Sequence, residues 1–330
     1  MPRPVMPAWL AAAGLVLAVA LVPLALDDFE TLQFAYVGIF FVAVCGLNVL
    51  TGYTGQISLG HGGFMAVGGY TTAILAAKHG VPYYWTIPVA GAIAGGSGLL
   101  GGIPALRLSG LYLALATFGV AVATPAVIKH FGHFTGGATG LSFPIVRAPG
   151  GTGLSQNRWF YYLAWGCALL ALGAAWLLLR GRTGRAFRAV RDSEVAAASS
   201  GVNLALYKTL AFGVSAAFAG VAGSLYAIAN LSYVSPETFR INLSIFLVVG
   251  VVVAGLGSLW GLVAGAALIE FLPVKTPDIV DGLNWLLHTG IDPKTAGVSD
   301  AIFGAVLVLV MLAFPRGVAG ALRALYSRLE

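Results

Sequence analysis

Long runs of apolar residues recur along almost the whole 330-residue chain. Several exceed the about 18 residues that a helix needs to cross a hydrocarbon core of ~30 Å. The runs predict ten spans, at residues 6–26, 32–50, 58–77, 86–106, 108–128, 159–179, 209–229, 242–256, 258–273 and 300–315. Only 9% of the residues are charged, against about 25% in soluble domains, so a large soluble core does not explain the pattern. The sequence predicts an all-α polytopic membrane protein of about ten transmembrane helices, forming one domain over residues 1–330.

The positions of the charged residues favour one orientation of these helices. If the N-terminus is cytoplasmic and every span crosses, the inner segments hold 11 of the 18 basic residues and 3 of the 12 acidic ones. Lys and Arg retained on the cytoplasmic side set orientation, so we expect both termini in the cytoplasm. The basic segment RGVAGALRALYSR then forms an inner-face tail. The alternative for residues 245–273 is one bent hairpin that does not fully cross.

The two longest segments between spans differ in character. Residues 129–158 are glycine-rich and fall outside, where we expect a solvated loop or a short helix on the outer surface. Residues 180–208 fall inside, and their arginines at 182, 185, 188 and 191 recur near one face of a helix. A capping residue at 192–193 can start a second short helix that ends near Gly201. This inner segment is therefore expected to fold as two helical pieces.

Small residues recur along one side of the fourth span, at Gly91, Gly95, Gly98 and Gly102. In lipid, helices associate through close packing, and small residues permit that approach. This stripe therefore predicts a tight helix–helix contact.

The motifs of several enzyme and pump classes are absent from the sequence. No GxxxxGK[ST] occurs, so the chain does not bind ATP through a P-loop. Neither HExxH nor a Cys/His ligand spacing is present, and no metal site is predicted. Ion-coupled pumps commonly use buried carboxylates in the middle of their spans. Glu270 is the one acid well inside an apolar run, and its expected role is structural, at the outer interface.

Polar residues and glycines interrupt the apolar pattern at residues 52–70, GYTGQISLGHGGFMAVGGY. Irregular backbone at membrane depth is tolerated where it is buried in protein or lines an aqueous cavity, and transporters use such broken helices. We expect a non-helical stretch followed by a helix that begins near Ser58, whose free amides attract a carboxylate. The alternative is an ordinary inner-face turn with a capped helix. A similar glycine interruption, GLGSLWG, lies at residues 255–261.

Three stretches resemble one known family. They are TGYTGQISLGHGGFMAVGGY, RAVRDSEVAAASSGVNLALYKTLAFGVSAAFAGVAGSLYA and VVAGLGSLWGLVAGAALIEFLP. Together they resemble the permeases of branched-chain amino acid ABC transporters, specifically the M-type subunit.

The resemblance implies a machine with several subunits in the bacterial inner membrane. A second permease, homologous or identical, would share the translocation path, and membrane lipid would surround both. Two separate ATPase subunits would bind ATP–Mg and hydrolyse it, so this chain itself would hold no cofactor and catalyse no reaction. A periplasmic binding protein would deliver the substrate, and no nucleic acid is expected.

The resemblance also suggests two groups of functional residues. The polar residues and close-packed glycines expected along the path are Gln56, Ser58, Gly60, His61, Gly62, Gly63, Gly257 and Ser258. The inner segment resembles the loop that docks on the ATPase, with its pattern E-x-A-A-x-x-x-G. The expected coupling residues are Arg188, Arg191, Asp192, Glu194, Ala196, Ala197 and Gly201. Positive-inside anchoring to anionic lipid is the alternative for the arginines.

Two other functions stay open at this point. Permeases for urea, short amides or small aromatic acids look similar in these motifs. An ion-coupled carrier or intramembrane enzyme acting alone predicts buried ionisable groups and no structured inner loop, and the sequence shows the reverse.

Overall fold

The computed structural model describes residues 8–150, 153–287, 298–313, 317–318 and 320, and most of them are helical. The α-helices of these residues are α1 Ala8–Ala25, α2 Asp28–Asn48, α3 His61–His79, α4 Tyr83–Ala105, α5 Gly110–His130, α6 Gly132–Thr135, α7 Gln156–Arg180, α8 Arg182–Asp192, α9 Glu194–Ser199, α10 Leu204–Ala229, α11 Ile241–Ala254, α12 Leu262–Leu287 and α13 Val298–Ala313. A helix lies over each of the ten predicted spans. Residues 6–7, residues 314–315 and most of the basic tail lie outside the described residues.

The predicted boundaries are least accurate for the ninth span. Residues 258–261 are not helical, because they belong to a turn that precedes α12. The expected end at residue 273 is also wrong, since α12 continues to Leu287 through Pro273 and Pro277.

In the described part of the chain, six helices are long and apolar enough to cross a membrane. They are Asp28–Tyr53, Tyr83–Ala105, Gly110–His130, Gln156–Arg180, Leu204–Ala229 and Pro236–Ala254. The chain is thus an all-α membrane protein with several spanning helices. Ten crossings and the cytoplasmic termini stay predictions.

Helix α10 lies at the centre of the bundle and packs against α2, α3 and α4. The predicted glycine stripe of α4 faces it. A Cβ added at Gly98 would lie 2.3 Å from the Ala216 Cβ, and one at Gly102 would lie 3.0 Å from the Thr209 Cα. Side chains at these α4 positions would force the two helices apart. The prediction of a tight helix–helix contact is confirmed.

The connecting segments gather at two ends of the bundle, which α2 and its continuation to Tyr53 separate by about 35–40 Å. One end carries residues 129–150 and 153–158, which include α6 and a two-residue strand, β1 Leu141–Ser142. That strand pairs antiparallel with β2 Tyr233–Val234. The opposite end carries α8, α9 and both glycine interruptions. Among the described residues, the segments at each of these two ends were predicted to share a side of the membrane.

Candidate functional site

The first glycine interruption is a break between α2 and α3. After Asn48 the helix loosens into a five-residue π-helical turn over Val49–Tyr53. Gly55 then takes a φ of +72°, a left-handed conformation in which a side chain is strained, and residues 55–60 are not helical. The predicted non-helical stretch is confirmed, but the following helix begins at His61 rather than near Ser58.

The second interruption separates α11 from α12 and lies directly against the first. Gly255 and Gly257 have φ values of +96° and +75°, which end α11 and turn the chain toward Leu262. A Cβ added at Gly52 would lie 2.4 Å from the Gly257 amide nitrogen. Residues 49–60 and 255–261 therefore form one structural unit, which we call the paired break.

The side chain of Asn48 joins the two halves of the paired break. Its Nδ2 donates to the Ser258 carbonyl at 3.0 Å, and its Oδ1 accepts from the Gly257 amide at 2.9 Å. Asn48 is fully buried. One amide thus satisfies two backbone groups that the missing helical turn leaves without intrahelical partners.

The polar side chains of the first interruption point into protein. Gln56, Ser58 and His61 are all buried. The Gln56 Nε2 donates to Thr54 Oγ1 at 2.9 Å, which ties the start of the non-helical stretch to the end of the π-helical turn.

His61 belongs to a hydrogen-bonded chain that crosses the bundle. Ser215 Oγ donates to the Gly46 carbonyl at 2.6 Å, and the His61 Nε2 lies 2.6 Å from the same Oγ. Because a carbonyl only accepts, the hydroxyl proton is already used and Nε2 must donate. His61 therefore carries a proton on Nε2, and it links α3 to α10 and α2.

The amides at the start of α3 are occupied by protein oxygens. The Gly62 amide donates to Ser244 Oγ at 2.9 Å, and the Gly63 amide donates to the Gly60 carbonyl at 3.0 Å. Two of the amides expected to attract a carboxylate therefore already have protein partners, and carboxylate binding at this helix start stays a prediction.

The predicted glycines of this stretch allow close approach of neighbouring helices. An added Cβ would lie 3.1 Å from the Thr117 carbonyl oxygen at Gly60, and 2.7 Å from Ser244 Oγ at Gly62. At Gly63 it would lie 2.8 Å from the hydroxyl of a threonine on α5. Side chains at these positions would displace α5 and α11. Whether the same glycines line a path stays a prediction.

Three polar atoms of the paired break and the adjoining His61 are buried and have no hydrogen-bond partner among the described residues. They are Gln56 Oε1, His61 Nδ1 and Ser258 Oγ. An unsatisfied buried polar atom costs about 1–3 kcal/mol, and such atoms are few in most folds. Their concentration makes this region the strongest candidate for a conformational or transport role.

The predicted pair of inner helices is confirmed as α8 and α9. Ser193 caps α9 by accepting from the Ala196 amide at 3.2 Å. Gly201 has a φ of +82°, and the amide of Val202 donates to the Ala197 carbonyl. This conformation and this bond are those of a Schellman motif, in which a glycine ends the helix.

Three of the predicted coupling residues form ion pairs within the chain. Arg191 donates through Nη1 to the Gly52 carbonyl at 3.1 Å and pairs with Asp192 at 3.0 Å. Glu194 pairs with Lys208 at 2.7 Å, and the Lys208 side chain is only 4% exposed. Arg191 therefore connects α8 to the paired break, and Glu194 holds α9 against the start of α10.

The remaining coupling residues lie on the short helices and their ends. Arg188 donates to the Leu179 carbonyl at 3.5 Å. Ala196 is exposed and Ala197 is buried, so α9 rests on the bundle by one face. The outward face includes Val195, which is 78% exposed. A small, mostly apolar surface at the end of the molecule is a suitable contact for another subunit.

The sequence interpretation missed several residues that organise the site. Asn48, Ser215, Ser244 and Lys208 supply its long-range bonds, and all four are buried. A polar residue inside an apolar helix is a signal for such a role. In the part of the chain that the structure describes, no three His, Cys, Asp or Glu side chains form a metal-binding group.

Comparison with known proteins shows which family the chain resembles. The family model described as branched-chain amino acid transport system / permease component matches residues 31–311. The high-affinity branched-chain amino acid transport system permease protein LivM of Escherichia coli is 33% identical over 331 residues, covering 92% of this chain and 73% of the relative. Its namesake in Salmonella typhimurium is 32% identical over 302 residues, covering 84% and 67%.

A third relative is more distant. The probable branched-chain amino acid transport permease protein LivM of Methanocaldococcus jannaschii is 22% identical over 330 residues, covering 88% of this chain and 93% of the relative. No solved structure matches the chain.

Proposed function

We propose, because the chain belongs to the family of branched-chain amino acid transport system permease components, that it forms the membrane path of an ATP-driven importer for branched-chain or related amino acids. In this role it would work beside a second permease. ATP–Mg would bind to two separate ATPase subunits, and a periplasmic protein would deliver the substrate.

The observation that carries this proposal is the bond from Arg191 to the Gly52 carbonyl. It connects the element expected to touch the ATPase with the interrupted helices expected to line the path. The Arg191 side chain also packs against Gly55, where an added Cβ would lie 3.1 Å from its Cγ. A displacement of α8 would therefore act directly on the paired break.

The proposal includes the orientation inferred from the charges. Helices α8 and α9 would face the cytoplasm, and residues 129–158 and 233–240 would face the periplasm of a bacterial inner membrane. The gathering of these segments at opposite ends of the bundle supports this arrangement. Ten crossings would leave both termini in the cytoplasm.

The docking face is tested with an arginine placed on α9. Ala196→Arg adds a long charged side chain to the exposed face, and Ser109→Arg adds the same side chain at an exposed site between α4 and α5. Each tagged variant is co-expressed with the proposed ATPases and second permease and purified in mild detergent. We expect Ala196→Arg to lose the ATPases and Ser109→Arg to keep them. ATPases retained equally by both variants would contradict docking through α9.

The cargo is tested separately on the reconstituted complex. ATP hydrolysis is measured with binding protein loaded with leucine or with urea. Stimulation by the leucine-loaded protein supports the proposal. Stimulation only by the urea-loaded protein would mean that the chain belongs to an ATP-driven importer with a different substrate. A chain that purifies alone and moves solute down an ion gradient would refute the importer.

A further inference from the structure

A cavity of about 310 Å³ opens at the end of the bundle opposite α8 and α9. It lies between α2, α10, α11 and α12, and the turn over Pro236–Phe239 borders it. Its apolar wall includes Phe40, Leu243 and Phe246, and its polar lining includes Arg240 and Glu270. Apolar pockets with a few convergent polar groups are the usual form of small-molecule sites.

The acidic residues at this cavity differ in their partners. Glu237 accepts from Lys129 at 3.1 Å and also bonds to Arg240. Glu270 is half-buried in the apolar sequence of α12, and it makes no hydrogen bond or ion pair within the described residues. An ionisable group in such a helix without a partner is a candidate for binding a charged ligand.

The charged groups at the cavity are unevenly paired. Glu237 is shared between Lys129 and Arg240, so these three groups together keep one positive charge, and the carboxylate of Glu270 faces the same cavity without an ion pair among the described residues. Arg240 has five N–H donors, and its bond to Glu237 uses Nε, so other donors remain. A ligand that carries one negative and one positive group beside an apolar body matches this lining.

We propose that this cavity binds the zwitterion of an aliphatic α-amino acid. The ammonium group faces Glu270, the carboxylate faces Arg240, and the aliphatic side chain lies against Phe40 and Phe246. A neutral amide would leave the Glu270 carboxylate without a counter-charge. The site rests on the proposed function, since it lies at the end where a periplasmic protein would release its cargo.

The test uses photo-leucine, a leucine analogue with a diazirine in its side chain, on the purified permease complex in nanodiscs. After irradiation, labelled peptides are identified by mass spectrometry. We expect label on the peptide that contains Leu243 and Phe246. Glu270→Gln keeps the shape of the side chain and should lower labelling about tenfold or more, the effect of losing roughly one charge-assisted contact. Asp278→Asn changes an exposed acid of the same helix and should leave labelling unchanged.

Competitors that lack one charged group distinguish a built site from an apolar crevice. Leucine should displace photo-leucine better than 4-methylpentanoate, which has no ammonium group. In Glu270→Gln this difference should vanish. Equal competition by both compounds in the wild-type complex would overturn the proposal, as would label confined to other helices.

The same preparations separate this proposal from the proposed function. If the leucine-loaded binding protein stimulates ATP hydrolysis equally in the wild type and in Glu270→Gln, and no label reaches the cavity, the importer stands and the site is refuted. If the wild-type complex shows no stimulation by any amino acid-loaded binding protein but the cavity is labelled, the importer fails and the amino acid site stands.

Discussion

Replacing Asn48 with leucine should separate the two halves of the paired break. Leucine has the same number of side-chain heavy atoms and the same branch point as asparagine, so it leaves no cavity, but its bulkier methyl groups cannot bond to the Ser258 carbonyl or the Gly257 amide. Both bonds span more than 200 positions of sequence, at separations of 210 and 209. They are therefore tertiary contacts, and the local helix does not replace them.

The cost follows from the environment of the two backbone groups. The bond to the Ser258 carbonyl is buried and the bond to the Gly257 amide is partly buried. Leaving a buried backbone group unsatisfied costs about 1–3 kcal/mol, and a partly buried one costs less. We expect Asn48→Leu to lower the free energy of unfolding by about 2–4 kcal/mol.

The assay is equilibrium unfolding in mixed dodecylmaltoside–SDS micelles, followed by circular dichroism. Asn242→Leu is the matched control, because Asn242 is exposed and makes no hydrogen bond within the described part of the chain. Its effect should stay within about 0.5 kcal/mol. A loss for Asn48→Leu no larger than that of the control would refute the account of Asn48 as the tie between the breaks.

Three further changes test other contacts. Glu194→Ala should lower the free energy of unfolding by about 2 kcal/mol more than Lys208→Met does. The first change leaves a buried ammonium group unpaired, whereas the second leaves only a half-exposed carboxylate unpaired. Equal losses in chemical unfolding would argue against a buried lysine. Gly68→Ala should lower the free energy of unfolding by about 1–3 kcal/mol, because its Cβ would lie 2.0 Å from a backbone oxygen of α10. Gly96→Ala is the control: its Cβ would have no atom within 4 Å, so stability should stay the same or rise slightly. Arg191→Ala should keep the ATPases bound but reduce transport per ATP hydrolysed, and an unchanged ratio in proteoliposomes would contradict the link from α8 to the paired break.

Much of the helical framework could be predicted from the sequence, because the hydrocarbon core imposes one rule on every span. An apolar run of sufficient length must be helical to satisfy its backbone, and a helix lies at each predicted position. The close contact made by the glycine stripe of α4 could also be predicted, since small side chains permit close contact wherever two helices cross. The two short inner helices followed from arginine spacing and from cap residues near Ser193 and Gly201, which are local signals.

Partners across the bundle could not be predicted in the same way. Nothing near Asn48 in the sequence indicates that its amide meets Gly257, because that meeting depends on how α2 and α11 pack. His61 likewise bonds to Ser215, which is 154 positions away. For the same reason Glu194 looked available to another subunit, although a buried lysine at the start of α10 pairs with it.

The placement of α2 and α12 explains how events at the two ends of the molecule would be joined. Helix α2 contributes Phe40, in its middle, to the wall of the cavity and Asn48, its last residue, to the paired break. Helix α12 begins directly after the second interruption and carries Glu270 to the same cavity. A displacement of Gly52 through Arg191 would thus act on both helices, because Asn48 bonds the end of α2 to the turn that precedes α12. Rigid helices transmit such a displacement over their whole length, whereas two independent loops would absorb it. Arg191, Gly52 and Asn48 thus form one continuous set of contacts from the inner helices to the two helices that line the cavity.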